Sequence, residues 1–359
     1  MKTDFLIIGG GIAGVSAAAR LSHLGTVTVL EAEDHLAYHT SGRSAALFEP
    51  SYGLAPVVAL SRATEDHLRH ADGGVLSQRG LLLLGNADQA GDFDRDRDAL
   101  SLDRISYEEA GAMIPVLRPD RVAHAAYGAH AWDIDTDRLI QNFARECRQH
   151  GGQIVTGARV TGITRAAGVW EVATGSTTYK AQVLVNAAGA WADEMATLAG
   201  VAPVGLSPLR RSMARIPAPG EHDVSKWPMI FGAGETWYAK PDAGALIVSP
   251  AEEDPSFPHD AWADDMVLAE GLARYEAMVT EPVTRILASW AGLRTFAPDR
   301  VLVIGPDPAH PAFVWLAGQG GYGFQTSAAA SQLAADLISG AQSALDPGTI
   351  AALTPKRLR

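Results

Sequence analysis

The chain opens with two short apolar runs, separated by a segment whose small and apolar residues recur at helical spacing. Residues 5–8 are wholly apolar, residues 13–24 follow the helical spacing, and residues 26–33 form a second apolar run that ends in acids. Continuous apolar runs of this length are typical of parallel strands that are buried on both faces. The pattern therefore predicts a strand, a helix and a second, parallel strand.

Helical and strand patterns continue along the chain, but their arrangement changes in the middle. Residues 54–72 and 133–152 carry apolar positions at helical spacing, and residues 80–85 form another apolar run. Residues 203–290 alternate short strands with Pro and Gly turns, which is typical of an antiparallel sheet. Residues 301–340 then return to the order of strand, glycine turn and helix.

This order predicts an α/β fold with two intertwined domains. The first is a Rossmann-like, doubly wound cofactor domain built from both ends of the chain, with approximate ranges 1–80, 150–200 and 295–359. The second is an inserted α+β substrate domain with an antiparallel sheet, covering residues 81–149 and 201–294. The charged stretch 88–101 is expected to be solvated, with no role beyond solubility.

Composition narrows the classes of partner. The 359 residues are 47% apolar and 19% charged, so a large core can form, while a net charge of −12 argues against a nucleic-acid partner. An anionic ligand would therefore need a local cluster of cations. The single cysteine, Cys147, excludes a disulfide within the chain and any multi-cysteine metal site, and it fits a reducing cytoplasm. We expect a cytoplasmic protein without a metal site.

The first twenty residues resemble a signal peptide only in part. Asp4 interrupts the basic end, and the apolar part contains a phosphate-binding pattern, so no cleaved signal is expected. No run approaches the 18 apolar residues of a membrane helix. The sequence predicts a soluble protein without an integral membrane segment.

The turn after the first strand carries the most specific local chemistry. Gly9, Gly11 and Gly14 fit G-x-G-x-x-G, in which the glycines allow a tight turn, close approach to a pyrophosphate and close packing of the helix. Glu31 ends the second strand about 20 residues later, where a carboxylate can accept hydrogen bonds from a ribose. The alternative is a turn that only packs the helix on the sheet. The context favours dinucleotide binding and leaves FAD and NAD open.

Two further segments are candidates for cofactor contact. Residues 39–53, "HTSGRSAALFEPSYG", are rich in hydroxyls and small residues and would either wrap a long cofactor or form an ordinary surface loop. In "VLVNAAGAW", a buried strand runs into a small-residue turn that another backbone segment must approach closely.

Together with the glycine turn, "TSGRSAA", "VLVNAAGAW", "WAGLRTF" and "GQGGYGFQTS" resemble the FAD-dependent D-amino-acid oxidase/dehydrogenase superfamily, and the D-arginine dehydrogenases in particular. The resemblance covers nearly the whole chain. It implies noncovalently bound FAD and oxidation of a D-amino acid by hydride transfer from Cα to the flavin. The imino acid produced is then hydrolysed to a 2-keto acid and ammonia.

The resemblance also implies which residues contact the cofactor. They are Gly9, Gly11, Ala13, Gly14, Glu31, Ala32, Thr40, Ser41, Gly42, Arg43, Ser44, Ala45, Ala46, Leu47, Val160, Ala188, Gly189, Trp191, Gly320, Gly321, Tyr322, Gly323, Phe324 and Gln325. The last six belong to a glycine turn that opens a helix. Amides at such a helix start would stabilise negative charge on a reduced flavin.

The family's substrate-binding groups correspond to Arg211, Arg294, Tyr238 and Tyr52, and the carbonyl of Gly321 would accept from the substrate amine. Two guanidinium groups can bind a carboxylate and overcome the repulsion expected from an acidic protein. No histidine is required as a base. The rate should rise with pH as the substrate ammonium loses its proton.

The sequence departs from the arginine-oxidising relatives at two positions. Leu47 and Leu81 stand where those enzymes hold a cationic side chain with a histidine and a glutamate. An unpaired buried cation is unfavourable, whereas an apolar side chain gains about 0.8 kcal/mol per buried methylene. We therefore expect neutral, hydrophobic D-amino acids to be preferred over D-arginine or D-lysine. Glu49 is the one nearby acid that could rescue a cation if the loop turned it inward.

Three other functions remain open at this stage. One is oxidation of glycine or of a secondary amine such as sarcosine, another is an NAD-dependent dehydrogenase, and the third is a flavoprotein without turnover. The electron acceptor is either oxygen or a quinone or dye. The sequence leaves the oligomeric state open.

Overall fold

The structure is a computed structural model that describes residues 1–175 and 177–359. Its helices are α1 (Ile12–Leu21), α2 (Ala55–His70), α3 (Ala90–Ala99), α4 (Tyr107–Met113), α5 (Thr136–Gln149), α6 (Ala192–Leu198), α7 (Asp265–Glu276), α8 (Ser327–Ser339) and α9 (Pro347–Leu353). Its strands are β1 (Lys2–Ile8), β2 (Val27–Leu30), β3 (Leu47–Phe48), β4 (Leu76–Gln78), β5 (Leu81–Gly85), β6 (Asp103–Ile105), β7 (His124–Gly128), β8 (Trp132–Ile134), β9 (Gln153–Val155), β10 (Gly162–Ala166), β11 (Val169–Thr174), β12 (Thr177–Asn186), β13 (Ser207–Pro217), β14 (Met229–Gly232), β15 (Tyr238–Asp242), β16 (Ala245–Ser249), β17 (Asp254–Pro255), β18 (Ala288–Phe296), β19 (Val303–Pro306) and β20 (Phe313–Ala317).

The first sheet has a parallel centre. Its strands run in the order β9–β2–β1–β12, and β12 pairs with β11 near its start and with β20 near its end. Ile7 faces a core made with α1 and α8, whereas the adjacent Leu6 faces a second core with α6 and β11. Both faces of β1 are thus buried, which is why the run is continuously apolar.

Helix α1 lies very close to the strand that precedes it. A Cβ atom placed on Gly14 would be 1.8 Å from the carbonyl oxygen of Gly9, so only glycine permits this packing. Gly9 itself has a φ of +106°, a backbone conformation that favours glycine. The strand, glycine turn and helix predicted for this segment are present.

The second sheet is mostly antiparallel. It runs in the order β17–β13–β16–β15–β14–β5–β7–β6, with β18 paired to β13, and one of its pairs, β5 with β14, is parallel. Strands β3, β8 and β4 form a small third sheet. The predicted fold class, a doubly wound domain with an inserted antiparallel-sheet domain, is confirmed.

The predicted domain ranges need one correction at α5. Residues 81–149 were assigned to the inserted domain, but α5 packs against α1. The apolar stripe of α5 is buried against α1, as expected for an amphipathic helix. The residues of this shared core include Leu139, Ile140 and Phe143 of α5 and Ile12 and Val15 of α1. The other ranges remain a prediction.

The charged stretch 88–101 also differs from the prediction. It forms α3, which buries the ring of Phe93 completely, and the Asp96 carboxylate accepts a hydrogen bond from the Gly234 amide at 2.6 Å. The helix is thus attached to the rest of the protein by one buried aromatic ring and by this hydrogen bond, although its other positions are mostly charged. In the described parts of the chain, no helix combines the length and apolarity needed to cross a membrane.

Candidate active site

Three adjoining cavities follow the carboxyl ends of the parallel strands and continue towards the second sheet. The outer cavity is lined by Gly9, Gly11, Glu31, Ala32, Thr40, Ser41, Val160, Ala188, Gly189 and Trp191 among others. The central cavity shares Gly11, Thr40, Ser41 and Gly189 with it and adds Ala13, Arg43, Ser44, Gly320, Gly321, Gly323 and Phe324. The inner cavity shares Ser44, Gly321, Phe324, Arg211 and Arg294 with the central one and adds Ala45, Ala46, Leu47, Tyr52, Leu81, Tyr238 and Gln325.

In the outer cavity, the backbone holds the Glu31 carboxylate in a fixed orientation. One oxygen accepts from the Gly10 amide at 2.6 Å and the other from the Glu33 amide at 2.9 Å. Each oxygen retains a lone pair, so the carboxylate can still accept from ribose hydroxyls. This arrangement fits the adenosine half of a dinucleotide.

The glycine turn meets the small-residue turn that follows β12. A Cβ atom on Gly9 would lie 2.4 Å from the carbonyl oxygen of Ala187, and the Ala187 amide donates to the Ile8 carbonyl at 3.0 Å. The close backbone approach predicted for residues 183–191 is therefore an approach to the glycine turn.

Residues 39–53 are tied to the cavities rather than forming a free surface loop. The hydroxyl of Ser41 accepts from the Ile12 amide at 3.0 Å, and that of Thr40 donates to the Leu293 carbonyl at 2.9 Å. Arg43 donates to the carbonyls of Ala261 and Ala291. These bonds hold the loop between α1 and β18, where Thr40 and Ser41 line both the outer and the central cavity.

The inner cavity begins at two arginines on neighbouring strands. Arg211 lies on β13 and Arg294 on β18, and both line the central and inner cavities. Burial, followed by the charge of Arg294, lowers the pKa of Arg211. Burial acts in the same direction on Arg294, but nearby tyrosines and glutamates outweigh it and raise its pKa. Both groups stay protonated at neutral pH, so an anion between them would relieve their repulsion.

Several polar atoms beside the arginines are free to bind a ligand. Among the described residues, Arg211 Nε and the buried Tyr238 hydroxyl have no hydrogen-bond partner. Arg211 makes only a long contact, 3.4 Å, with Glu253, which Arg300 already binds at 2.8 and 2.9 Å. Buried donors without partners are rare in folded proteins, so they mark this position as a binding site for acceptor oxygens.

Tyr52 comes from the loop after β3. Its hydroxyl makes a long contact, 3.4 Å, to the Glu235 carboxylate, and burial raises its pKa, so the hydroxyl stays protonated. Since a hydroxyl has one proton, Tyr52 would donate to a ligand by giving up this long contact.

The rest of the inner cavity is largely apolar. Leu47 and Leu81, two of the predicted substrate-site residues, lie on its wall. Leu100, Met229 and Phe231, which are not among the predicted residues, lie there as well. Glu49 is also on this wall and is only 3% exposed. The sequence left open whether Glu49 turns inward, and the structure places it on the wall of the cavity.

Three residues predicted to contact the cofactor do not line any of these cavities. Gly14 packs the helix on the turn, Gly42 lies against the Ala37 carbonyl, and Tyr322 is buried beside Tyr52 and Phe296. These three residues contact neighbouring protein groups and do not face the cavities.

The sequence prediction missed other residues of the central cavity, including Met213, Leu293, Thr295 and Gln319. Alternation along β13 could have indicated Met213, since it lies two residues beyond Arg211 and therefore on the same face.

A glycine turn at a parallel sheet, a fixed carboxylate and a long cavity leading to two arginines define a dinucleotide-dependent oxidoreductase of the doubly wound class. A protein-family model described as FAD dependent oxidoreductase matches residues 4–337, and the chain belongs to this family. The glycine turn alone left FAD and NAD open, and membership of this family identifies the dinucleotide as FAD. The outer and central cavities fit such an elongated cofactor, because they share the turn residues that would face its pyrophosphate.

Comparison with individual proteins agrees with this family. The chain is 26% identical to glycine oxidase from Pseudomonas putida, with 98% of each chain covered. Its fold is similar to that of L-proline dehydrogenase from P. horikoshii, with a TM-score of 0.84, 22% identity, and coverage of 99% of this chain and 97% of that one. It is also similar to glycine oxidase from Geobacillus kaustophilus, with a TM-score of 0.82, 20% identity, and coverage of 97% and 98%.

Proposed function

We propose that the protein oxidises the α-amine of neutral D-amino acids with noncovalently bound FAD. The supporting observation is that Arg211 and Arg294 lie where the central cavity opens into a mostly apolar inner cavity. A carboxylate bound to the guanidinium groups would leave the side chain facing Leu47, Leu81 and their apolar neighbours. The D configuration is supported by the resemblance of the sequence motifs to D-amino-acid-oxidising enzymes.

The volume of the inner cavity, about 70 Å³, supports a small or medium-sized side chain. A water molecule needs roughly 10–15 Å³ of such space, so the cavity holds about five to seven waters. Each side-chain methylene that replaces this water contributes about 0.8 kcal/mol of binding.

The chain's own residues account for binding and orientation. The two guanidinium groups hold the carboxylate, the hydroxyls of Tyr52 and Tyr238 donate to its oxygens, and the Gly321 carbonyl accepts from the amine. Fixing both ends of the α-carbon removes most of the orientational freedom that slows an unbound reaction. Bound FAD supplies the two-electron oxidant for the substrate. The amino acid loses two hydrogens, and water then hydrolyses the imino acid to a 2-keto acid and ammonia.

Oxidation of glycine or of a secondary amine is a second candidate. It is favoured by the similarity to glycine oxidase from Pseudomonas putida. Glycine would leave the apolar wall of the inner cavity unfilled, and the binding contribution of that wall would be lost. Oxygen and a quinone or dye are both retained as candidate electron acceptors.

Anaerobic bleaching of the purified yellow protein tests both candidates. The panel contains the D and L forms of alanine, methionine, leucine and phenylalanine, with glycine and sarcosine beside them. We expect the D forms with apolar side chains to bleach the flavin fastest. Faster bleaching by glycine or sarcosine would establish the second candidate instead, and faster bleaching by the L forms would refute the proposed stereochemistry. Re-oxidation timed in air and with a quinone distinguishes the acceptors.

A further inference from the structure

Glu49 is the acid on the wall of the inner cavity, as far as the chain is described. It follows β3 in the loop that also carries Tyr52, and it shares the cavity with Arg211 and Arg294. The neighbouring wall is made of leucine, methionine and phenylalanine side chains. A carboxyl group in such surroundings is unfavourable unless it has a partner.

The protein satisfies only half of this carboxyl group. One oxygen, Oε1, accepts from the Ser51 amide at 3.0 Å. Oε2 is buried and has no hydrogen-bond partner among the described residues. His130 Nε2 lies 3.2 Å from Oε2, but the better-aligned acceptor for this nitrogen is the Leu100 carbonyl at 3.0 Å. The His130 nitrogen is therefore engaged by the Leu100 carbonyl, and Oε2 still lacks a directed donor.

We propose that Glu49 recognises the far end of the substrate side chain by accepting a hydrogen bond from an N–H or O–H group there. This inference rests on the proposed function, since it requires the substrate carboxylate to be held by Arg211 and Arg294. It divides the side chain into an apolar middle, which contacts the leucines, and a donor at the tip. Among side chains of matched shape, those that end in a hydroxyl or amide group, or in an ammonium group that Glu49 would pair, are then favoured over those that end in a methyl group.

A site that accepts a hydrogen bond from its substrate rejects an analogue of the same shape without the donor, because the acceptor is left buried and unpaired. Leu47 and Leu81 cannot supply this discrimination. Glu49 can, since it is held in place by Ser51 on one side while its second oxygen stays available.

Three pairs of D-amino acids with matched shapes test the inference. D-homoserine is compared with D-norvaline for the hydroxyl, D-asparagine with D-leucine for the amide, and D-ornithine with D-norleucine for the ammonium. The measured quantity is the ratio of kcat/KM between the two members of each pair at pH 8, with a dye as acceptor. At this pH most Glu49 carboxyl groups are ionised, because burial raises their pKa only to about 7, so Oε2 can accept a hydrogen bond. A loss common to both members, such as poorer flavin loading, cancels in this ratio.

Two variants are compared with the native holoenzyme. Glu49→Leu should lower the donor-to-apolar ratio at least tenfold in the pair whose donor is best recognised. Glu49→Gln keeps a carbonyl acceptor without the charge, so it should preserve the ratio for the neutral pairs and lower it for the ammonium pair. If Glu49→Leu does not retain flavin, the contrast between the neutral and ammonium pairs in Glu49→Gln still tests the inference.

A binding measurement without turnover supplies an independent readout. 4-Hydroxybutanoate and pentanoate have matched shapes and lack the amine, so they bind without reacting, and their dissociation constants follow from changes in the flavin spectrum. We expect Glu49→Leu to weaken the binding of 4-hydroxybutanoate relative to that of pentanoate. Ratios that are the same in native protein and Glu49→Leu, in all pairs and in this binding assay, would refute the inference while leaving the proposed function intact. If the native enzyme oxidises none of these six D-amino acids, the proposed function itself is refuted.

Discussion

Arg211 lies diagonally across from Arg294 on the neighbouring antiparallel strand. The pairing of β13 with β18 sets Arg211 opposite Gly292 and Arg294 opposite Leu209, so the two arginines are on the same face of the sheet. Neither strand alone brings two guanidinium groups to one point. The strand register does, and it leaves glycine rather than a bulky side chain directly opposite Arg211.

Replacing Arg294 with methionine should raise the KM for the D-amino acid while the protein stays yellow. A hydrogen bond to a charged group contributes about 1.5–3 kcal/mol, so a loss of roughly 10- to 150-fold in binding is expected. Steady-state kinetics and the flavin spectrum are measured together. Arg210→Met is the matched control, because Arg210 is next to Arg211 but pairs with Asp254 outside the cavities. Loss of flavin from Arg294→Met would show that Arg294 is structural instead.

Gly321→Ala should weaken substrate binding through Arg294. A Cβ atom at this position would lie 3.1 Å from both Cζ and Nη1 of Arg294, which is tighter than ordinary contact. The guanidinium group would have to move, and a several-fold rise in KM is expected. Gly162→Ala, whose added atom would meet Ala173 at an ordinary 3.8 Å, controls for the loss of a glycine. An unchanged KM in Gly321→Ala would contradict the position assigned to the guanidinium.

Glu31→Gln should weaken FAD binding. The carboxylate accepts from two backbone amides, and the amide side chain would turn a donor towards one of them. An unsatisfied buried group is unfavourable by about 1–3 kcal/mol, which corresponds to roughly 5- to 150-fold in the dissociation constant. Titration of flavin-free protein with FAD measures the change. Glu65→Gln, at a surface ion pair with Arg69, should bind FAD like the native protein; equal weakening in both variants would exclude a specific role for Glu31.

The stability of the protein should depend on pH through Glu49. Burial raises the pKa of Glu49 from its usual 4.5 to about 7, against the smaller opposing effects of the Ser51 amide and His130. Because the folded protein holds this proton more tightly than the unfolded chain, the free energy of unfolding falls as pH rises from about 4.5 to 7, by about 3 kcal/mol.

Glu49→Gln removes this titration. The difference in melting temperature, Glu49→Gln minus native holoenzyme, should therefore be more positive at pH 8 than at pH 5. A difference that does not change with pH would contradict the raised pKa. His130→Asn serves as the control for the neighbouring imidazole.

Cys147 should resist thiol reagents in the folded protein. It is fully buried, and burial raises the pKa of its thiol to about 11, so the reactive thiolate is scarce at neutral pH. We expect one equivalent of thiol to react in guanidinium chloride and almost none without it. Rapid reaction under native conditions would indicate that α5 opens readily from α1.

The glycine turn, its flanking strands and the acid at the end of β2 could be predicted from the sequence because each depends on neighbours in the chain. Gly9 needs its positive φ, Gly14 must lie against the preceding turn, and Glu31 follows a short strand. These are local requirements, and they leave a local pattern. Arg211 and Arg294 could be predicted only through the resemblance to a known family, because the local sequence around an arginine on a strand does not indicate what its side chain binds.

Other features depended on contacts between distant segments, and only the tertiary structure decided them. The inward position of Glu49, the wall formed by Leu100, Met229 and Phe231, and the packing of α5 on α1 all follow from strand and helix pairings across long stretches of chain. The anchoring of α3 through Phe93 belongs with them, because a single apolar residue among charges gives no periodic signal. The sequence by itself determined where the cofactor turn lies. The tertiary structure decided which side chains meet in the inner cavity, because burial and hydrogen bonding there depend on groups that the chain brings together only when it folds.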